Sequence, residues 1–173
     1  MTRAPLFAWL CLVVWAVWLF ALQGGLALSG FGRWTPDVGV VLLIALTARV
    51  SSARARWAAA WVALARISYG GDPPLAVLAG YLGFVGLCHV VRSAVELERP
   101  LVRALLCGLS AALLAWFWSS AHGMSRSTHG VDVALASFAW TSALSTALVA
   151  LACGGWLGAL PGLSPLWTRR RML

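Results

Sequence analysis

The sequence predicts an all-α integral membrane protein, a compact bundle of about six transmembrane helices. Three observations carry this. Of 173 residues, 61% are hydrophobic and 10% charged, whereas a soluble domain carries about 25% charged residues. Apolar runs alternate with short breaks rich in Gly, Pro or Arg. All thirteen basic residues are Arg, and they are unevenly placed. With the N-terminus in the cytoplasm, ten fall on the inner side: Arg3, Arg49, Arg54, Arg56, Arg92, Arg99, Arg103 and Arg169 to Arg171. Only Arg33 and Arg126 fall outside, and Arg66 is left within a span. Cytoplasmic loops carry the excess of Arg, so the bias sets the orientation. An even number of spans then puts both termini in the cytoplasm. Residues 1–155 form the six-span domain, and 156–173 form an interfacial basic tail.

Span 1 runs from Pro5 to Leu28, longer than a signal-peptide core, and no cleaved signal is expected. Span 2 begins at Thr35-Pro36-Asp37. Pro is tolerated at a helix start, and Asp37 suits the positive end of the dipole. Its uncharged part, Val38 to Ala48, is short for a bilayer of about 30 Å, so the helix is expected to extend toward Ser52 with Arg49 snorkelling. Span 3 runs from Trp57 to the break at Gly70-Gly71-Asp72-Pro73-Pro74. Span 4 runs from Leu75 to Val91. Its Ala76/Gly80 and Ala79/Gly83 pairs allow close backbone approach. Span 5 runs from Leu101 to Ala121. Span 6 runs from Val131 to Ala152, where Ser137, Thr141 and Ser145 recur every four residues on one face.

Arg66 is the residue that most demands an account. A charge inside a span is costly and normally has a partner or a function. The hairpin between spans 2 and 3 brings it near Asp37, with Asp72 as the other candidate. Snorkelling to the outer surface is the third reading. Asp132 reads as a dipole-compensating residue at a span start, and His89 as a helix-end residue. His122, His129 and Asp132 fit no metal template. Glu96 and Glu98 read as a solvated charged loop. Most of the Trp residues, such as Trp34, Trp57, Trp116 and Trp118, fall near span ends and read as interfacial belts. Cys11, Cys88, Cys107 and Cys153 form no CxxC pair, so reduced, packed thiols are expected. The net charge of +8 does not imply nucleic acid, because the arginines are scattered singly and line no stripe. Topology and contact with anionic lipids account for them. No nucleophile elbow, phosphate loop or zinc-binding helix is present, so neither enzymatic activity nor a cofactor is expected.

Thr35-Pro36-Asp37 followed by VGVVLLIALTAR resembles the second segment of the MreD family, small membrane proteins of the bacterial rod-shape system. Chain length, the Arg-bounded second span and the Gly80-Tyr81-Leu82 run after a Gly-containing break are similar too. The likeness covers residues 5 to 150. One departure stands out: the family often carries an Asp in the third span, where this chain has Arg66. The resemblance implies a non-enzymatic scaffold of the elongasome in the bacterial inner membrane. Its implied partners are an MreC-type bitopic protein, a RodA-type SEDS glycosyltransferase with its transpeptidase, and MreB filaments. The family's fold is similar to the S component of energy-coupling factor vitamin transporters, which supplies the alternative function. Such a component needs an outward-open ligand pocket, and the outer loops here are short. An enzyme acting on lipid-linked substrates would need Asp37, Asp72 and Asp132 to converge.

Overall fold

Ten uncharged residues, Val38–Thr47, form a short helix (α2), and every one of them is buried. The computed structural model describes residues 6–69, 72–97, 99–123 and 132–167. Five further helices surround α2: α1 (Leu6–Leu26), α3 (Ser52–Ile67), α4 (Pro74–Val91), α5 (Pro100–Gly123) and α6 (Asp132–Leu157). Successive helices run in opposite directions. One end of the bundle gathers Arg49, Arg54, Arg92 and Arg103. The other gathers Asp37, Arg66 and Asp72.

Four of the outer helices, α1, α4, α5 and α6, carry apolar residues on their outward faces too, which is the mark of a helix between protein and lipid. On α1, Ala8, Leu12, Ala16 and Phe20 face the core, while Leu6, Leu10, Val14, Trp18 and Leu22 face outward. On α5, Cys107, Ala111, Leu114 and Trp118 are buried, and Leu101, Leu105, Leu109 and Leu113 are exposed. The chain is a multi-pass α-helical membrane protein. α1, α4, α5 and α6 are long and apolar enough to cross a bilayer.

The other two helices depart from the expected six full spans. α2 stops at Thr47 and does not reach Ser52. Its ten residues cover roughly 15 Å, half of a bilayer core of about 30 Å. Its neighbours, not lipid, surround it, so it has no thickness to match. After a turn at residues 48–51, α3 begins at Ser52, five residues earlier than the span expected from Trp57. Arg54 and Arg56 are therefore helical and not in a loop.

Lipid tails are as apolar as Leu, so burial among helices gives α2 little hydrophobic drive. Packing and polar contacts hold it. At its far end, Arg92 donates to the carbonyls of Thr47 and Val50, at 2.8 and 2.9 Å. These groups lie at the end of α2, where free carbonyls need partners. Between α1 and α2, Gly30 adopts φ +86°, a conformation that favours glycine. After α6 the chain folds back, burying Leu163 and Leu166. Trp15 donates its indole N–H to the Pro161 carbonyl at 3.2 Å. All four cysteines are free thiols. Cys88 and Cys107 are buried as expected, but Cys153 is exposed.

Candidate functional site

Thr35-Pro36-Asp37 sets the site because it ends the chain's entry into α2. Asp37 is the N-cap, with extended backbone, and its Oδ1 accepts from the Val40 N–H at 3.1 Å. This is the standard use of a carboxylate at a helix start. Here the cap lies within the bundle and is only 5% exposed. Its backbone N–H donates to Thr146 Oγ1 at 2.8 Å. Thr146 lies fourteen residues into α6, roughly 21 Å from that helix's start. The cap is therefore recessed well below the tip of α6.

Arg66, in the last turn of α3, reaches the same carboxylate. Its Nη1 donates to Asp37 Oδ2 at 2.8 Å. Its Nε and Nη2 donate to Asp72 Oδ2 at 3.3 and 3.1 Å. Both acids expected from the sequence thus hold the one guanidinium, and the snorkelling reading is set aside. The fork of N–H groups on arginine suits such double engagement.

Two aromatic residues complete the site. Tyr81 of α4 is fully buried. Its hydroxyl donates to Asp37 Oδ1 at 3.0 Å and accepts from Arg66 Nη1 at 3.1 Å. Trp118 of α5 lies beneath the guanidinium, with Arg66 Cζ 4.0 Å from the ring centre. That is a close cation–π contact. Trp118 meets Tyr81 edge to face, with ring centres 5.6 Å apart. Its indole N–H donates to the Ala76 carbonyl at 3.2 Å. The expectation of an interfacial belt therefore fails for Trp118, whose ring is covered by Arg66. Trp34, Trp57 and Trp116 are exposed, as a belt requires.

Glycines make the room. A Cβ on Gly39 would collide with the Tyr81 hydroxyl and come within 2.9 Å of the Phe20 ring. A Cβ on Gly80 would lie 2.8 Å from Leu114 and 3.1 Å from the Trp118 indole nitrogen. Gly80 thus permits the close α4–α5 approach expected of it. Gly83 does not: a Cβ there meets nothing within 4 Å, because it lies on the outward face of α4.

On α6 a second polar pair lies beside the Ser137–Thr141–Ser145 stripe. Ser145 is buried but bonds within its own helix, donating to the Ser142 carbonyl at 2.9 Å. Thr141 is half-buried. Thr146 meets the cap of α2, and Ser142 meets its approach, donating to the Thr35 carbonyl at 3.4 Å. The side chains of Ser137, His122 and Asp132, and the residues His129, Glu98, Gly70 and Gly71, lie outside the described part. Tyr81, Trp118 and Thr146 were not expected from the sequence as partners of Asp37 and Arg66. A Tyr two turns into a span was the available signal, since a buried hydroxyl needs a partner.

The Asp37 carboxylate accepts three hydrogen bonds, from a backbone N–H, a phenol and a guanidinium. Such an arrangement fastens helices: α2, α3 and α4 meet at one carboxylate, α5 stacks on its cation, and α6 holds the cap's backbone. Among the described residues, no three His, Cys, Asp or Glu side chains are grouped to hold a metal. No family model, curated protein or solved structure matches the chain.

Proposed function

We propose that the protein is a non-enzymatic membrane scaffold of the MreD type. It binds an MreC-type bitopic partner within the machinery of peptidoglycan synthesis and cell shape. A RodA-type SEDS glycosyltransferase, its transpeptidase and MreB filaments are the wider assembly. The protein sits in a bacterial inner membrane with both termini in the cytoplasm, so its arginine end faces inward.

One observation carries the preference for a scaffold. A vitamin-binding S component needs an open, ligand-sized space between its helices at the outer face. In this orientation that region holds the Asp37–Arg66–Tyr81–Trp118 cluster, with Tyr81 wholly buried and the guanidinium packed on the indole. Asp37 and Asp72 are both committed to Arg66, an arrangement suited to fastening and not to proton transfer.

Co-purification from native membranes in mild detergent tests this reading. Recovery of an MreC-type or SEDS-type protein is expected. Recovery of an ATPase module with a bound vitamin would overturn it. The orientation is read separately with Ser93→Cys in a Cys153→Ser background. Ser93 is exposed at the arginine end, so an impermeant maleimide should label it only after the cells are opened.

A further inference from the structure

α3 has an outward face but is not built to cross a bilayer. Among the described residues, four helices are long and apolar enough to do so, and α3 is not one of them. Its sixteen residues include Arg54, Arg56 and Arg66 and reach about 24 Å. α2 is shorter still but enclosed, whereas α3 buries one side only. Ala55, Ala58, Ala59, Val62, Ala63 and Ala65 pack inward, and Trp57, Trp61 and Leu64 stay exposed. We propose that this face meets lipid directly and that the bilayer thins locally to match it.

The apolar part of the face is bounded by charge at both ends. Arg56, one position before Trp57, is exposed. Arg66 and Asp72 close the other end, with 15% and 27% of their side chains exposed. A long arginine ordinarily reaches the surface by snorkelling, and the exposed Arg56 has that route. Arg66 has not. Asp37, Asp72 and Tyr81 hold its guanidinium, and Trp118 lies against it. Lipid tails offer no partner for the exposed part of a carboxylate or guanidinium. Headgroups and water therefore descend to this pair, and local thinning is how a bilayer lets them.

The aromatic residues give the size of the step. Exposed Trp and Tyr mark the two interfaces. On α6, Trp140 and Trp156 are exposed and sixteen residues apart, about 24 Å of helix. Along α3 and the turn that closes it, Trp57 and Tyr69 are exposed and twelve residues apart, about 18 Å. Tilt only shortens the thickness that a helix covers, so α3 stays well short of an ordinary core of about 30 Å. A second copy is a poor cover for the face. Two copies inserted alike would set Arg56 against Arg56 at one depth. The inference needs neither the scaffold reading nor the direction of insertion.

Spin labels on the full chain, reconstituted alone in dioleoylphosphatidylcholine, test it. Cys11→Ser/Cys153→Ser removes the two thiols that are not buried. Ala53→Cys and Ser68→Cys then carry labels at exposed positions fifteen residues apart, about 22 Å of helix. A core of ordinary thickness would submerge at least one of them. Both should instead be several-fold more accessible to a water-soluble nickel chelate than a label at Leu105→Cys. Leu105 and Ser120, equally far apart and exposed on α5, give the full-thickness reference, with oxygen favoured at Leu105. Tyr69→Cys replaces Ser68→Cys if that variant does not fold. Oxygen preference at either end of α3 overturns the proposal. So does shielding of the α3 labels from both reagents, which would mean that a protein surface, a second copy included, covers the face.

Discussion

Asp37 and Arg66 stand 29 residues apart in sequence and 2.8 Å apart in the bundle. The pair joins the N-cap of one helix to the last turn of the next. Side-chain exposures of 7% and 15% put it where losing Arg66 leaves the Asp37 charge uncompensated, whereas losing Asp37 leaves Arg66 still paired with Asp72.

Arg66→Gln should destabilise the protein by about 3–5 kcal/mol, the range for leaving a buried charge unpaired, and Asp37→Asn by less, because Asp72 still holds the guanidinium. The double variant should cost less than the sum by about 1–3 kcal/mol, the coupling expected of contacting residues. Equilibrium unfolding in mixed micelles measures all three. Additive losses would mean that the two charges act separately.

Tyr81→Phe removes a hydroxyl that lies between the acid and the base. A hydrogen bond to a charged group contributes about 1.5–3 kcal/mol, and a loss in that range is expected in the same unfolding assay. Gly39→Ala should be worse than its size suggests, since the new methyl meets both the Tyr81 hydroxyl and the Phe20 ring. An unchanged melting temperature in Gly39→Ala would contradict the packing described.

The two glycines of α4 should behave oppositely. Gly80→Leu must displace Leu114 and Trp118, and with them the surface on which Arg66 rests. Gly83→Leu projects into open space and should stay within about 0.5 kcal/mol of the parent protein, as uninvolved surface positions do. Comparing detergent melting curves of the two variants decides this.

On α6, Thr146→Val removes the acceptor of the Asp37 N–H. Leaving that buried donor unmet should cost about 1–3 kcal/mol. Ser145→Ala should cost much less, because the Ser142 carbonyl to which it donates also accepts from Thr146. Similar losses in the two variants would show that the inward face of α6 has been misassigned.

The acid–base contact was legible because a lone charge in an apolar run must be satisfied, and hairpin topology limits the candidates to Asp37 and Asp72. The positions of the arginines at one end were legible for a similar reason. Aromatic residues were not. A Trp near a span end is equally consistent with a lipid belt and with a stacked cation, and only tertiary packing separates Trp116 from Trp118. The α6 stripe was legible only as a face, not as a partner. Ser137, Thr141 and Ser145 share a period of four, but so do Ser142 and Thr146, and sequence spacing alone does not say which pair faces α2. The length of α2 was hidden because a helix enclosed by protein obeys no bilayer ruler.

That enclosure bears on how the chain is made. A ten-residue apolar segment is too short to lodge in lipid by itself as it leaves the translocon. Its cap partner Thr146 and the Arg92 that closes its other end are synthesised later. Segment two must therefore wait, held at the membrane's edge or carried in with its neighbours, until most of the polypeptide has emerged. Biogenesis of this protein is committed late, and truncation before the sixth helix should leave the second one without a home.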